Sequence, residues 1–171
     1  MEFSDVIRKR YSVRSYKSDL VDEQKLQLVL EAARLAPTAA NRQPFRLIVI
    51  HTAGRETELR RIYNQIWFVQ APLIICACSI SNEAWVRCDG KNYSDVDVAI
   101  AMVHLVLAAT DVGLGSCWIA AFDPAAAREV LGLPDSMEPI AFTPLGYAAN
   151  QIRPRRRKTL AEIIKYEHWK N

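Results

Sequence analysis

Arg10 and Arg14 stand four residues apart, with Ser12 between them, in the run Arg10-Tyr11-Ser12-Val13-Arg14-Ser15-Tyr16. A planar guanidinium meets a phosphate with paired, charge-assisted hydrogen bonds, and Ser12 adds a hydroxyl donor. Further along, Ala36-Pro37-Thr38-Ala39-Ala40-Asn41-Arg42-Gln43-Pro44-Phe45 sets small side chains and amides ahead of an apolar run. Such a stretch can press backbone and amide groups against something flat. Together the two runs ask for a phosphorylated, planar ligand with polar edges, a description that flavin mononucleotide (FMN) fits. Either run taken alone also reads as a solvated turn. A second basic cluster, Arg153, Arg155, Arg156, Arg157 and Lys158, lies near the other end. It reads as a solvated face, as a nucleic-acid patch, or as the other half of a phosphate clamp if the chain ends meet. No aromatic residues interleave with it and the net charge is only +3, which argues against nucleic acid.

The elements that must position these residues are readable from periodicity and caps. Ser4 or Asp5 can cap a short helix ending near Lys9. Asp22 caps a helix whose Leu26, Val29, Leu30 and Ala33 share a face and which Pro37 ends. Residues 45–50 read as a strand, residues 56–65 as a polar helix, and residues 73–78 as an interior strand after Pro72. Residues 79–94 lack periodicity and read as a loop with room for a helical turn. A helix from Asp95 or Asp97 through Val112 is apolar on nearly every side. It is expected to be buried all round, in a large core or against a partner subunit, with His104 as a core histidine. Gly113 to Ser116 break it, residues 117–119 form a short strand, and Asp123-Pro124 open another helix that Gly132 ends. Residues 139–146 form a last core strand. Thr159 and Glu162 have capping-box spacing. Strands interleaved with helices give an α+β or α/β sandwich.

The chain has 171 residues, half of them hydrophobic, enough for one globular domain over residues 1–171 with a core of its own. The four cysteines form no Cys-x-x-Cys pair and have no histidine near them, so neither a zinc site nor any other metal is expected. Reduced, structural thiols in a cytoplasmic protein are the default. Met1-Glu2-Phe3 does not open a signal peptide, and no apolar run reaches membrane-spanning length.

The chain is identified as resembling the nitroreductase family over almost its whole length, on four segments in order. Residues 10–16 are similar to the family's Arg-x-Ser-x-Arg/Lys-x-aromatic motif. Residues 36–45 are similar to Ala-Pro-Ser-x-x-Asn-x-Gln-Pro-Trp. Gly113-Leu114-Gly115-Ser116-Cys117-Trp118-Ile119 is close to Gly-Leu-Gly-Ser-x-Trp, and residues 155–160 resemble basic-x-Arg-x-Pro-Leu. The resemblance implies a three-layer α-β-α sandwich around a central, mainly antiparallel sheet. It implies a homodimer with one FMN at each of two interface sites, and NADH or NADPH as hydride donor. Arg10, Ser12 and Arg14 would then meet phosphate, ribityl chain and the pyrimidine edge of the ring, with Tyr11 beside the ribityl chain or packing. Arg155 and Arg157 would close on the phosphate. Pro37, Thr38, Ala39 and Asn41 would reach across from the partner, with Gln43 supporting that loop. Asn64 would read the pyrimidine edge, and a backbone N–H at Ala120 or Ala121 would face N5. The protein itself would contribute no acid, base or nucleophile: hydride chemistry needs positive charge near N1/O2, for which Arg14 is the candidate, and an open ring face.

Departures from the family pattern mark where this chain is its own. Ala120 and Ala121 stand where many members carry an acidic residue and a glycine. Trp67 stands where some carry a lysine, and reads either as a stacking surface for substrate or as a core or interface aromatic. Phe45 replaces a tryptophan and Thr159 a proline. Trp85, Arg87 and Tyr93 are candidates to line an acceptor pocket. The resemblance implies NAD(P)H-dependent reduction of nitroaromatic, quinone or similar small-molecule acceptors by ping-pong hydride transfer. The rivals are a same-fold flavoenzyme with another reaction (dehydrogenase, dehalogenase or flavin-fragmenting) and a flavin-binding protein without turnover.

Overall fold

The computed structural model describes residues 1–150 and 156–169. Strands β1 (Phe45–His51), β2 (Leu73–Ser79), β3 (Gly115–Ser116) and β4 (Glu138–Gly146) form one sheet in the order β1-β2-β4-β3, and every neighbouring pair is antiparallel. The helices are α1 (Phe3–Lys9), α2 (Glu23–Arg34), α3 (Glu56–Ile62), α4 (Ile66–Gln70), α5 (Ser94–Asp111), α6 (Pro124–Leu131) and α7 (Leu160–Ile163).

The layering follows from β2, whose residues are all buried. Successive side chains of a strand point to opposite faces. Leu73, Ile75 and Ala77 enter a core with Val29 and Ala33 of α2 and Val98, Met102 and Leu105 of α5. Ile74, Cys76 and Cys78 enter a second core with Leu59 and Ile62 of α3, Phe68 of α4 and Ala127 of α6. Helices therefore cover both faces, giving the expected α-β-α sandwich. This is why the sequence of β2 is continuously apolar although its pairing is antiparallel.

Several boundaries differ from expectation. α1 begins at Phe3 with Glu2 at the N-cap and no side-chain cap, so neither Ser4 nor Asp5 caps it. The polar helix stops at Ile62; Tyr63 turns extended and α4 follows. The break lets the Tyr63 ring sit edge-on to Trp67 at 5.6 Å and to Phe68 at 5.5 Å. Residues 79–94 hold a 3-10 turn at Ser81–Glu83 and a small hairpin bridged at Val86 and Asn92.

The short strand at residues 117–119 is instead the far end of an interrupted ladder. β3 pairs Gly115 with Gly146 and Ser116 with Leu145. The same register would put Cys117 opposite Pro144, which has no N–H to give. The Cys117 N–H turns to the hydroxyl of buried Thr143 at 3.1 Å, and the ladder resumes only at Ile119 with Phe142.

α5 is not buried on all sides. Val98, Met102, Leu105 and Ala109 face the core, but Val96 and Val103 are exposed, Val103 by 47%. With Ala99, Ile100 and His104 they line an open apolar groove. The spacing of Val96, Ile100 and Val103 is that of one helix stripe. His104 is thus half-buried on the open side, not a core histidine. Every described residue from 156 onward is exposed, among them Leu160, Ile163, Tyr166 and Trp169.

A Schellman end with Gly113 at φ 80° closes α5: Leu114 N–H donates to Ala109 C=O at 2.7 Å and Gly113 N–H to Thr110 C=O at 3.1 Å. Two residues on, a Cβ on Gly115 would lie 2.7 Å from Cγ2 of Val13, itself 1% exposed. The absence of a side chain at 115 is what lets the N-terminal segment lie flat on β3. Gly115→Ala should therefore displace that segment and destabilise the protein by about 1–3 kcal/mol. Thermal or urea unfolding checks this; an unchanged midpoint would show that Val13 yields freely.

Candidate functional site

The N-terminal segment acts as an added edge to the sheet. Ser12 bridges Ser116 in parallel, and Val13 N–H donates to Ser116 C=O at 2.9 Å. The segment then runs beside the chain leaving β4: Ala149 N–H donates to Ser15 C=O and Lys17 N–H to Tyr147 C=O, both at 2.9 Å. Tyr11 Oη–H donates to the Asn150 carbonyl at 2.8 Å. The N-terminal run therefore lies against the stretch of chain that leads to the second basic cluster. Arg155 lies outside the described residues. Arg157 is exposed, its Nη1 donating to the Arg156 carbonyl at 3.2 Å. Tyr16 is buried and its hydroxyl donates to Val13 C=O at 3.0 Å. Burial pushes the phenol pKa well above its ordinary value, so Tyr16 stays neutral and serves packing.

Arg14 is exposed, and its guanidinium carbon lies 5.8 Å from the centre of the Trp67 ring, within reach of a cation–π interaction. Trp67 is half-buried and also packs with Val13, Tyr16 and Ala71. Trp67 thus faces the Arg14 cation. Asn64, three residues before it, is exposed, and its Oδ1 accepts from Arg60 Nη2 at 2.8 Å. The end of α3 is tied to the segment after β3 by Asp123 N–H donating to Ile62 C=O at 2.8 Å. Ala120 and Ala121, both exposed, lie between that tie and the Ile119–Phe142 bridge. Arg10, Tyr11, Ser12, Arg14, Asn64, Ala120 and Ala121 are in this way gathered around β3, the end of α3 and α4.

Pro37, Thr38, Ala39, Asn41 and Gln43 are not part of that group. Their loop feeds β1, the opposite edge of the sheet from β3, roughly 14 Å away at ordinary strand spacing. It contains a 3-10 turn at Ala39–Asn41. Ala40, Asn41 and Gln43 all have positive φ, near 50°, a region that side chains other than Asn and Asp rarely adopt. The loop is cross-braced: Gln43 N–H donates to Thr38 Oγ1 at 3.0 Å, and Gln43 Nε2 donates to the Asn41 carbonyl and Oδ1 at 3.0 and 3.1 Å. Ala39 N–H donates to the carboxylate of Asp97 on α5 at 2.9 Å.

Sequence reasoning treated Asp97 only as a possible helix start. It is 1% exposed, and the signal that could have found it is a lone acid on an otherwise apolar helix face. The three candidates for an acceptor pocket engage one another: Trp85 meets Tyr93 edge-on at 5.2 Å, and Arg87 donates to the Tyr93 hydroxyl at 3.0 Å and pairs with Asp89 at 2.6 Å. Cys76 and Cys78 lie side by side in the core, sulfurs 3.6 Å apart. Their mutual hydrogen bond and burial push the Cys76 thiol up, so it offers no nucleophile. Among the described residues no cluster of His, Cys, Asp or Glu is placed to hold a metal ion, and no helix is long and apolar enough to cross a membrane.

The chain and its fold are similar to those of known proteins. A solved nitroreductase family protein from Clostridium difficile 630 shares 39% identity and superposes with a TM-score of 0.86, covering 99% of this chain and 100% of its own. An NADH dehydrogenase of Thermus thermophilus is 28% identical over 187 aligned residues, 91% of each chain. An FMN reductase [NAD(P)H] of Bacillus subtilis is 26% identical over 82% of this chain and 63% of its own. The sequence model of the nitroreductase family matches residues 7–73 and 55–147, and with that match the chain belongs to the nitroreductase family.

Proposed function

We propose that this chain is an FMN-dependent oxidoreductase that uses NADH or NADPH to reduce nitroaromatic, quinone or similar small acceptors by ping-pong hydride transfer. In this reading it is a single domain over residues 1–171, works as a homodimer with FMN at the subunit interface, and resides in the cytoplasm. The observation that carries it is the set of groups gathered around β3, the end of α3 and α4: guanidiniums, a serine hydroxyl, an amide and the exposed backbone at Ala120 and Ala121. The names of the relatives, an NADH dehydrogenase and an FMN reductase [NAD(P)H] among them, support the same chemistry.

The donor set fits FMN. Arg10, Ser12, Arg155 and Arg157 would hold the phosphate and ribityl chain, with Tyr11 bracing the segment through Asn150. Arg14 and Asn64 would serve the pyrimidine edge, and the chain at Ala120 and Ala121 supplies backbone donors without side-chain bulk. Bound there, FMN supplies the hydride chemistry, so the chain needs no titrating residue of its own. Arg14 would contribute a permanent cation where negative charge develops, with its guanidinium held near the Trp67 ring.

The dimer is supported by two features of the protomer. Pro37, Thr38, Ala39 and Asn41 sit at the far edge of the sheet from Arg14, so a loop from a second copy is the natural source of those contacts. The open stripe of α5 and the exposed apolar side chains after residue 156 supply surface that association would bury.

The purified protein should be yellow, or should become so with added FMN, and should oxidise NADH or NADPH when a nitroaromatic or quinone is present. A colourless protein that takes up no FMN would sink the reading; FMN binding without turnover would leave a carrier or a different flavin reaction. Arg14→Ala and Arg157→Ala should each weaken FMN binding by about tenfold or more, the loss expected for one charge-assisted hydrogen bond. Fluorescence titration measures this, and unchanged affinity in both refutes the phosphate and ring assignments. Val103→Glu, placing a charge on the α5 stripe, should shift sedimentation from dimer to monomer; a dimer that survives it is built on another surface.

A further inference from the structure

Asp97 is nine-tenths and more buried, yet only half of its carboxylate is used. Oδ1 accepts the Ala39 N–H, whereas buried Oδ2 has no hydrogen-bond partner among the described residues. A buried carboxylate oxygen left unpaired is costly to stability, so the fold gains little from having an acid here. What the acid does is local. Ala39 is the residue immediately before Ala40 and Asn41, both held at φ near 50°. Such backbone persists only where surrounding groups over-determine it. Gln43 and Thr38 brace the loop from within, but those bonds fix its shape and not its place. Asp97 ties it to α5, the longest helix of the fold.

We propose that Asp97 is a positioning residue for the 37–43 loop: its Oδ1 bond to Ala39 N–H holds the left-handed turn in the place where the loop meets the cofactor. This rests on the reading of that loop as a flavin contact. The buried residues nearest Asp97 on its own helix include Ser94, Val98 and Ala101, and Ser94 Oγ is bonded to Asp95 at 3.2 Å.

The test compares Asp97→Ala with Asp97→Asn in the full chain. Amide hydrogen exchange of the peptide containing Ala39 is measured on apoprotein, and FMN affinity by fluorescence. Asp97→Ala should speed Ala39 exchange and weaken FMN binding, each by about tenfold. Asp97→Asn keeps an acceptor oxygen and should restore both to within about threefold of the parent. If Asp97→Ala does not fold, Asp97→Leu fills the same space without an acceptor and takes its place. Unchanged Ala39 exchange in the Ala or Leu variant overturns the proposal. So does accelerated exchange with undiminished FMN affinity, because the tie would then exist without serving the site. Asp97→Asn behaving like Asp97→Ala overturns it as well, since charge rather than the bond would matter. A parent protein that binds no FMN sinks the reading of the loop, and the positioning role with it, while Ala39 exchange still reports the tie on its own.

Discussion

A strand buried on both faces gives its side chains no exit to water, and β2 is such a strand. Each of its residues must find an apolar partner on one side or the other. At about 25 cal/mol per Å² of apolar surface, two such faces are a dominant favourable term for a protein of this size. That demand fixes α2 and α5 on one side and α3, α4 and α6 on the other. It also fixes which parts of the chain remain available for chemistry. With both faces covered, only the edges and ends of the sheet are open, and the candidate residues lie there.

The two edges are not equivalent. At the β3 edge, Gly115 admits the N-terminal segment at a distance no side chain would allow, and Pro144 stops the ladder after two pairs. The interruption sends the Cys117 N–H to Thr143 before Ile119 re-pairs with Phe142. Ala120 and Ala121 follow that last pair and lead to the Asp123 tie at the end of α3. At the β1 edge there is no such rail, and the 37–43 loop depends on internal bracing and on one bond to α5.

The chemistry of the site was more legible in the sequence than its geometry. Arginine spacing, the Thr38 to Gln43 run and the caps at Asp22 and Asp123 are local signals. They act over a few residues, and the structure shows both caps accepting the expected backbone N–H groups. Strand order is not local. Nothing within residues 37–43 says that β1 and β3 are opposite edges: the family resemblance implies two groups of candidate residues, and the strand order supplies the physical reason for their separation within one protomer. The break between α3 and α4 escaped for a similar reason: no glycine or proline marks it within residues 56–65, and the Tyr63 ring contacts with Trp67 and Phe68 that accompany it belong to the packing. The all-apolar α5 was expected to be covered in a large core or against a partner subunit. An all-apolar helix says that every side will be covered but not by what, and in the protomer one side meets the core while one stripe stays open.

That open stripe and the tie at Asp97 belong to one rigid rod. Asp97 and Val96 are adjacent residues on α5, the first turned into the core and the second onto the groove. A helix of this length transmits the position of one face to the other with little slack. In the proposed dimer, seating the stripe against a second copy would therefore also set where Asp97 holds the 37–43 loop, and so where that loop stands relative to the other protomer's Arg14. In that dimer, association and the completion of the cofactor site would be one event. The unpaired Oδ2 fits this division of labour, because a group kept for placement need not be the most stable one for its position.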